Sequence, residues 1–347
     1  MNTIQMKKTI DAVASLLSLF FKSTNKKYKN QYIYFLFWGL GDSIIISEFL
    51  KENIRSNPSK KHIALVSNNS MGFINSEFEF DEIIELSPPW TKKRNKYRIL
   101  KSRYFNFFKL CLTQDLTKSE KIFSIRNDPR DAFLANILSP KTIISSATKG
   151  GSKFVDLDLN LSESVNRYTW NEILFEKILK KKYFIEKKID NLASSYVLFH
   201  TGSTEESKKF PIKKTMEVIR NLNEIHKIKI ICESNEVQYF SQNTDNVEIY
   251  EISNLNFDSF CSLIKNSSGV FCNDSGPMHL ANYFKKITYT VWGSTDPKIW
   301  TTPNTFNFID ENISCRPCKN KCINGLDFDH FGKIDTDKIS NTIKNNL

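Results

Sequence analysis

The sequence predicts an α/β protein of two doubly wound, Rossmann-like domains facing a central cleft. Three observations carry this expectation. Continuous apolar runs of buried-strand length alternate with amphipathic stretches. The alternation begins twice, at Tyr32 and again at Tyr196. A chain of 347 residues with 40% apolar content is long enough for two separate cores. The expected division is an N-terminal extension over 1–30, a first domain over 31–185, a second over 186–330 and a C-terminal helix over 331–347.

The elements follow in order. "YIYFLFW" (Tyr32 to Trp38) reads as a buried strand, "GLGD" as a turn, and "SIIISEFLKENIRS" as the helix after it. "HIALVS", "EIIEL" and "KIFSIRN" read as further strands, with a basic helical stretch before the last and a lysine-rich helical segment from Tyr168 to Lys188. The second start is "YVLFHTGSTEESKKFP", a strand and glycine-containing loop, followed by the helix "IKKTMEVIRNLNEI". "IKIICES" is a strand, "FDSFCSLIKNS" a helix, and "GVFC" and "ITYTVWG" are strands. In sheets of this kind ligands lie beyond the carboxyl ends of the strands. Four short stretches fall there: Gly39 to Asp42, Thr201 to Lys208, Glu233 to Glu236, and Asn273 to His279.

The extension carries Ile10, Val13, Leu17 and Phe20 at helical spacing, with lysines on both sides. Three readings stay open: an amphipathic helix lying on a membrane surface, a helix docked on the protein, and a cleaved signal. Asp11 within the apolar run and the lack of a small-residue cleavage site after Phe21 count against the last. No stretch of about 20 apolar residues predicts a spanning helix. Cys111, Cys232, Cys261 and Cys272 sit in apolar surroundings and read as buried thiols, a pattern fitting a reducing, cytoplasmic setting better than a disulfide framework.

Charge is uneven. Residues 1 to 190 hold 32 Lys and Arg against 20 Asp and Glu, while residues 191 to 347 hold 17 against 18, so the whole excess of +11 lies in the first half. This is either a solvated lysine-rich surface or a site for an anionic partner, and the densest run contains Lys92, Lys93, Arg94, Lys96 and Arg98. No RNP, zinc-finger or helix-turn-helix signature accompanies it, so no nucleic-acid partner is expected.

"FCNDSGPMHLAN" (Phe271 to Asn282) poses the sharpest question, since Asp274, Ser275 and His279 lie within six positions. A serine nucleophile on such a scaffold needs glycines two residues either side, and here those are Asn273 and Pro277. The stretch reads better as strand, tight turn and helix start, with backbone N–H groups and the positive end of the helix dipole aimed at a phosphate.

In chain order, "GLGDSIIISEFLKENIRSNP", "FHTGSTEESKKFP", and "NDSGPMHLA" followed by "VWGSTDPKIWTTP" resemble the motifs of the heptosyltransferases of glycosyltransferase family 9. The similarity runs from about Tyr32 to Ile339. It implies the two-domain GT-B fold and an inverting, metal-independent transfer of heptose from ADP-heptose to an anionic, lipid-linked lipopolysaccharide core, at the cytoplasmic face of the membrane. Asp42 then matches the general base, although as a plain residue it also reads as a helix cap. Lys208 matches the lysine on the donor diphosphate, and Ser203 and Thr204 match hydroxyls near the phosphates. Asp274, Ser275, Gly276 and His279 match the second phosphate-binding turn, His279 alternatively packing its helix onto a strand. Glu236 is favoured over Glu233 for the ribose.

Two other functions stay open. One is the same fold with another nucleotide-activated sugar in capsule or O-antigen assembly. The other is a non-catalytic nucleotide-sugar or polyanion binder, which needs no carboxylate such as Asp42. Finally, Cys315, Cys318 and Cys322 form C-x2-C-x3-C with His330 downstream. Three thiols and an imidazole suit a structural zinc, and unligated thiols are the other reading.

Overall fold

The computed structural model describes residues 11, 27–91, 115–187, 189, 196–318 and 329–347. Its apolar runs pair into two six-stranded sheets. The first holds β1 (Lys29–Leu36), β2 (Lys61–Val66), β3 (Glu82–Glu85), β4 (Ser119–Ser124), β5 (Thr142–Ser145) and β6 (Leu157–Asp158), in the spatial order β3-β2-β1-β4-β5-β6. The second holds β7 (Val197–His200), β8 (Ile228–Cys232), β9 (Glu248–Glu251), β10 (Gly269–Asn273), β11 (Ile287–Trp292) and β12 (Thr305–Ile309), in the order β12-β11-β10-β7-β8-β9. Read from its other edge, the second sheet repeats the first. Neighbouring strands run parallel throughout, for example Ile33 opposite both Ile63 and Ile122, and Phe271 opposite both Phe199 and Tyr289. In each sheet the strand order reverses between the first and fourth strands, the crevice where doubly wound folds place ligands.

The described helices are α1 (Leu40–Ile45), α2 (Ser47–Arg55), α3 (Asn68–Glu77), α4 (Pro129–Leu138), α5 (Trp170–Leu174), α6 (Ile212–Asn223), α7 (Ser234–Asn243), α8 (Phe257–Lys265), α9 (Gly276–Tyr283), α10 (Pro297–Trp300) and α11 (Thr336–Lys344). The single helix expected after "GLGD" is broken at Ile46. Asn171 Nδ2 donates to the Ile45 carbonyl at 2.6 Å, diverting an acceptor that a continuous helix would use for the amide of Phe49. The helical segment expected to reach Lys188 ends after a π-helical turn at Leu179. Lys180 adopts left-handed backbone (φ 57°) and the next amide, of Lys181, donates back to Phe175 O.

Internal contacts divide the chain into two units, Met1–Glu163 with Trp170–Tyr183, and Ser164–Thr169 with Phe184–Leu347. The short stretch 164–169 joins the second unit through its own side chains. Asn166 Nδ2 donates to Thr301 O at 3.0 Å, and the Arg167 guanidinium lies 5.1 Å from the Trp300 ring. The C-terminal helix also belongs to the second unit. Ile339 and Ile343 of α11 enter its core beside Val218 and Leu222 of α6, and Asn221 donates to Asp337 at 2.9 Å. The first unit's core gathers Ile33, Phe35, Ile63, Leu65, Ile122 and Leu134. Among the described residues no helix is long and apolar enough to cross a membrane. Of the extension, residue 11 and residues 27–30 are described; Lys29 and Asn30 already belong to β1, and Asp11 Oδ1 accepts from the amides of Gly151 and Ser152 at 2.8 and 3.2 Å. Ile10, Val13, Leu17 and Phe20 lie outside the described residues, as do Lys92, Lys93, Arg94, Lys96 and Arg98.

Candidate functional site

In the first unit the residues that matter leave the carboxyl ends of β1 and β4. β1 passes through Phe37 and Trp38 to Gly39, the N-cap of α1, whose backbone oxygen accepts from the amides of Asp42 and Ser43. Asp42 sits in the first turn of α1 and makes no side-chain cap. Its Oδ1 instead takes Nη1 of Arg126, which follows β4, while Oδ2 lies on the Gly39 side. The Arg126 guanidinium also lies 4.3 Å from the Trp38 ring, a cation–π stack. Phe35, Ile45, Ile46, Ile125 and Trp170 line a pocket whose polar members are Asp42, Ser43 and Arg126. Arg126 and Trp38 were not singled out from the sequence. A lone arginine after a strand reads as solvated, and its partner is 84 positions away.

In the second unit the corresponding groups leave β7 and β10. The loop after β7 ends in a short 3-10 turn, Glu206–Lys208. Lys208 Nζ donates to Asp274 Oδ2 at 2.8 Å, and Thr295 Oγ1 donates to the same oxygen at 2.6 Å. Asp274, expected among the donor-binding residues, receives both donors on one oxygen. Asn273, at the end of β10, fastens the loop from both sides: its Nδ2 donates to Thr201 O at 2.6 Å and its Oδ1 accepts from Phe210 N at 2.9 Å. Gly293, after β11, completes the packing. A Cβ there would stand 2.0 Å from Ser207 O and 2.8 Å from Phe331 Cζ, so only glycine allows the two loops to meet.

The serine-nucleophile reading fails on geometry. Ser275 is the N-cap of α9, and its Oγ donates to Asn273 O at 3.2 Å, capping nothing. The α9 N-terminus therefore keeps its N–H groups for an anion, and Gly276 is the first helical residue with Pro277 next. His279 is buried, its Nδ1 2.9 Å from Tyr168 Oη with the two rings stacked. With the tyrosine as donor, the imidazole proton sits on Nε2. Cys272 is no nucleophile either, since burial pushes its thiol up to about 12.

Ser203 is half-buried and Thr204 exposed, both on the β7 loop. Glu236 is committed within the protein. Its Oε2 accepts from the Glu233 amide at 3.2 Å and from Thr201 Oγ1, forming the far half of a capping box on α7. Glu233 lies nearer the loop, its carboxylate 3.0 Å from Lys209 Nζ and its Oε1 3.7 Å from where a Gly202 Cβ would be. Beneath Gly202 lies His200, which burial keeps neutral down to about pH 4. The loop rests on an uncharged ring.

The cysteine-containing segment docks on the same corner through Arg316, whose guanidinium donates to the carbonyls of Trp292, Gly293, Asp310 and His330. Cys318 N donates to Ser294 O at 3.0 Å. Among the described residues, Cys315, Cys318 and His330 among them, no three His, Cys, Asp or Glu side chains form a group able to hold a metal. Cys322 lies outside the described residues.

Two parallel six-stranded sheets of the same strand order give the chain the GT-B fold of glycosyltransferases. Solved structures share the fold. E. coli heptosyltransferase WaaC with ADP aligns over 91% of this chain and 100% of its own at 13% identity and a TM-score of 0.71. E. coli ADP-heptose lps heptosyltransferase II aligns over 91% and 98% at 10% identity and 0.67. The iron-containing dodecameric glycosyltransferase TibC from enterotoxigenic E. coli aligns over 93% and 80% at 14% identity and 0.51. No match is found among curated protein sequences. Residues 152–325 match the model of glycosyltransferase family 9 (heptosyltransferase), and the chain belongs to that family.

Proposed function

We propose that this glycosyltransferase moves heptose, with inversion, from ADP-heptose to a phosphorylated, lipid-linked core acceptor. The observation that carries the reading is the Lys208 ammonium held on Asp274 beside the uncapped start of α9, a cationic cradle at the reversal point of the second sheet. The α9 amides, Ser203, Thr204 and His279 would share the diphosphate with Lys208. WaaC has been solved with ADP and with ADP-2-deoxy-2-fluoro heptose, which supports the same donor class here. Asp42 accepts the proton of the attacking hydroxyl as that oxygen bonds to the anomeric carbon. The bond from that carbon to the phosphate oxygen breaks, and ADP leaves with the negative charge that Lys208 offsets. For the ribose we keep Glu236 beside Glu233, each tested by its glutamine variant.

No step in this scheme uses a metal. Cys315, Cys318, Cys322 and His330 remain a proposed structural site, zinc or iron, and TibC is iron-containing. Elemental analysis of purified protein tests it. The anionic acceptor accounts for the basic first half, and peripheral contact with the cytoplasmic face is tested by vesicle co-sedimentation with and without residues 1 to 28.

The deciding experiment is a thermal-shift panel of nucleotide sugars. A ligand at 100 times its dissociation constant adds about 2.7 kcal/mol of stability. Stabilisation by ADP-heptose above UDP- and GDP-sugars supports the reading. A larger shift with another nucleotide sugar replaces the donor, and no shift with any favours the non-catalytic binder.

A further inference from the structure

Asp131 takes no part in the steps just described, yet it is 1% exposed and both of its oxygens are engaged by indoles. Trp38 Nε1 donates to Oδ2 at 3.0 Å and Trp90 Nε1 donates to Oδ1 at 2.7 Å. A carboxylate is the smallest side chain that accepts from two such donors at once, since an asparagine would turn an N–H toward one of them. Holding it there is costly: burial first, then the neighbouring Asp128, raises its pKa to about 7.

The Trp38 end of this arrangement leads to the first unit's site. The Trp38 carbonyl accepts from Ser67 Oγ at 2.8 Å and Ser70 Oγ at 3.0 Å, so backbone and indole N–H are both fixed. The ring plane is set by these three bonds, and against it the Arg126 guanidinium stacks at 4.3 Å while donating to Asp42 Oδ1. We propose that Asp131 is a positioning residue for Asp42, acting through Trp38 and Arg126. By holding the Trp38 ring it fixes where the guanidinium lies, so that Arg126 occupies Oδ1 and leaves Oδ2 for the acceptor hydroxyl. This rests on Asp42 being the general base.

The test uses the full-length chain, ADP-heptose as donor, ADP release in the presence of acceptor as the rate, and 5-fluorotryptophan labelling, with the Trp38 resonance assigned by its loss in Trp38→Leu. Asp131→Asn should lower kcat about 10- to 100-fold with the donor KM unchanged, the scale of a small misplacement of a reacting group. It should also shift the Trp38 fluorine resonance, as should Arg126→Met. In the Trp38→Leu background the further change Asp131→Asn should cost no additional rate, because the route is already cut. If Asp131→Asn does not fold, Trp38→Leu alone decides by its kcat. Wild-type kcat in Asp131→Asn or Trp38→Leu, with Asp42→Asn inactive, overturns the positioning role alone. Full activity in Asp42→Asn overturns the base reading beneath it.

Discussion

The first unit places a carboxylate after its first strand and a cation after its fourth, Asp42 and Arg126, whereas the second unit places a cation after its first strand and a carboxylate after its fourth, Lys208 and Asp274. Strand order and direction are the same in both sheets, so topology supplies only the crevice, and the residues at the strand ends supply its sign. Burial separates the two pairs further. Asp274 is 6% exposed against 19% for Lys208, so the carboxylate is the support and the ammonium the presented group. Asp42 and Arg126 are both 27% exposed, and both face outward enough to meet a substrate. In the proposed reaction the first crevice takes a proton and the second meets a phosphate.

Removing the charge at the two presented groups breaks the comparison most directly. Asp42→Asn should reduce turnover about 10² to 10⁴-fold while nucleotide-sugar binding, followed by thermal shift, stays near wild type. An unchanged rate would retire Asp42 as base. Lys208→Ala should lower kcat about 10² to 10³-fold and weaken donor binding as well, because in the proposed reaction its charge meets the diphosphate before and during departure. If acceptor kinetics alone changed, the sign assigned to the second crevice would be wrong. Asp274→Asn sharpens the point: as a support for Lys208 it should reproduce part of that loss, and its effect should nearly vanish in the Lys208→Ala background.

The third expectation concerns the packing that holds the second crevice in place. Gly293→Ala puts a methyl 2.0 Å from Ser207 O, a backbone atom that no rotamer change can relieve. A cost on the order of 3 kcal/mol is expected, at the high end for one substitution, seen as a melting temperature lower by roughly 6–12 °C. Gly39, on the first unit's loop, has only Asp42 Oδ2 at 3.8 Å from such a methyl. Gly39→Ala should therefore leave the melting temperature within about a degree or two of wild type.

How much of this was readable beforehand divides along the same line. The strands with continuous apolar runs, such as β1 and β11, declared themselves, because burial on both faces leaves no polar alternation. β5, β6, β9 and β12 did not, being short or half polar, as in "EIYE" and "TFNFI". Asp42, Lys208 and Asp274 stood out because each lies in a glycine- or proline-marked turn after a strand. Arg126, Trp38, Thr295, Asn273 and Tyr168 did not, since each acts on a partner brought near only by the fold, Tyr168 on His279 from 111 positions away. Glu236 was readable as an acidic group near the site, but its use as a helix cap depended on the position of Glu233.

A pH experiment contrasts the buried carboxylates. Asp131 is held by neutral indoles and Asp274 by an ammonium. The native Asp131 carboxyl keeps its proton up to about 7, while the unfolded chain releases it near 3.8. Between those values the native state binds more protons than the unfolded state, so Asp131's contribution to stability is full below about pH 4 and is lost as the pH rises toward 7. The melting temperature should carry a falling component of a few degrees over that window, absent in Asp131→Asn. The same slope in the variant would assign it to another group.

The smallest effect comes from the opposite end of the sheets. Lys141 immediately precedes β5, the fifth strand of the first unit, and Lys286 immediately precedes β11, the fifth strand of the second. Lys141 is exposed, whereas Lys286 is 2% exposed and its Nζ has no hydrogen-bond partner among the described residues. An ammonium removed from water without a carboxylate or carbonyl to receive it is a net cost. Methionine keeps the length of the lysine stem and discards the charge. Lys286→Met should therefore raise stability by about 1 kcal/mol, a melting temperature higher by roughly 2–4 °C, with no change in transfer rate because the residue lies at the strand end remote from the loops of the site. Lys141→Met should leave stability unchanged, since its ammonium is already solvated. Equal responses from the two would mean that water reaches Lys286, and the contrast between the two sheets would then be confined to their carboxyl ends.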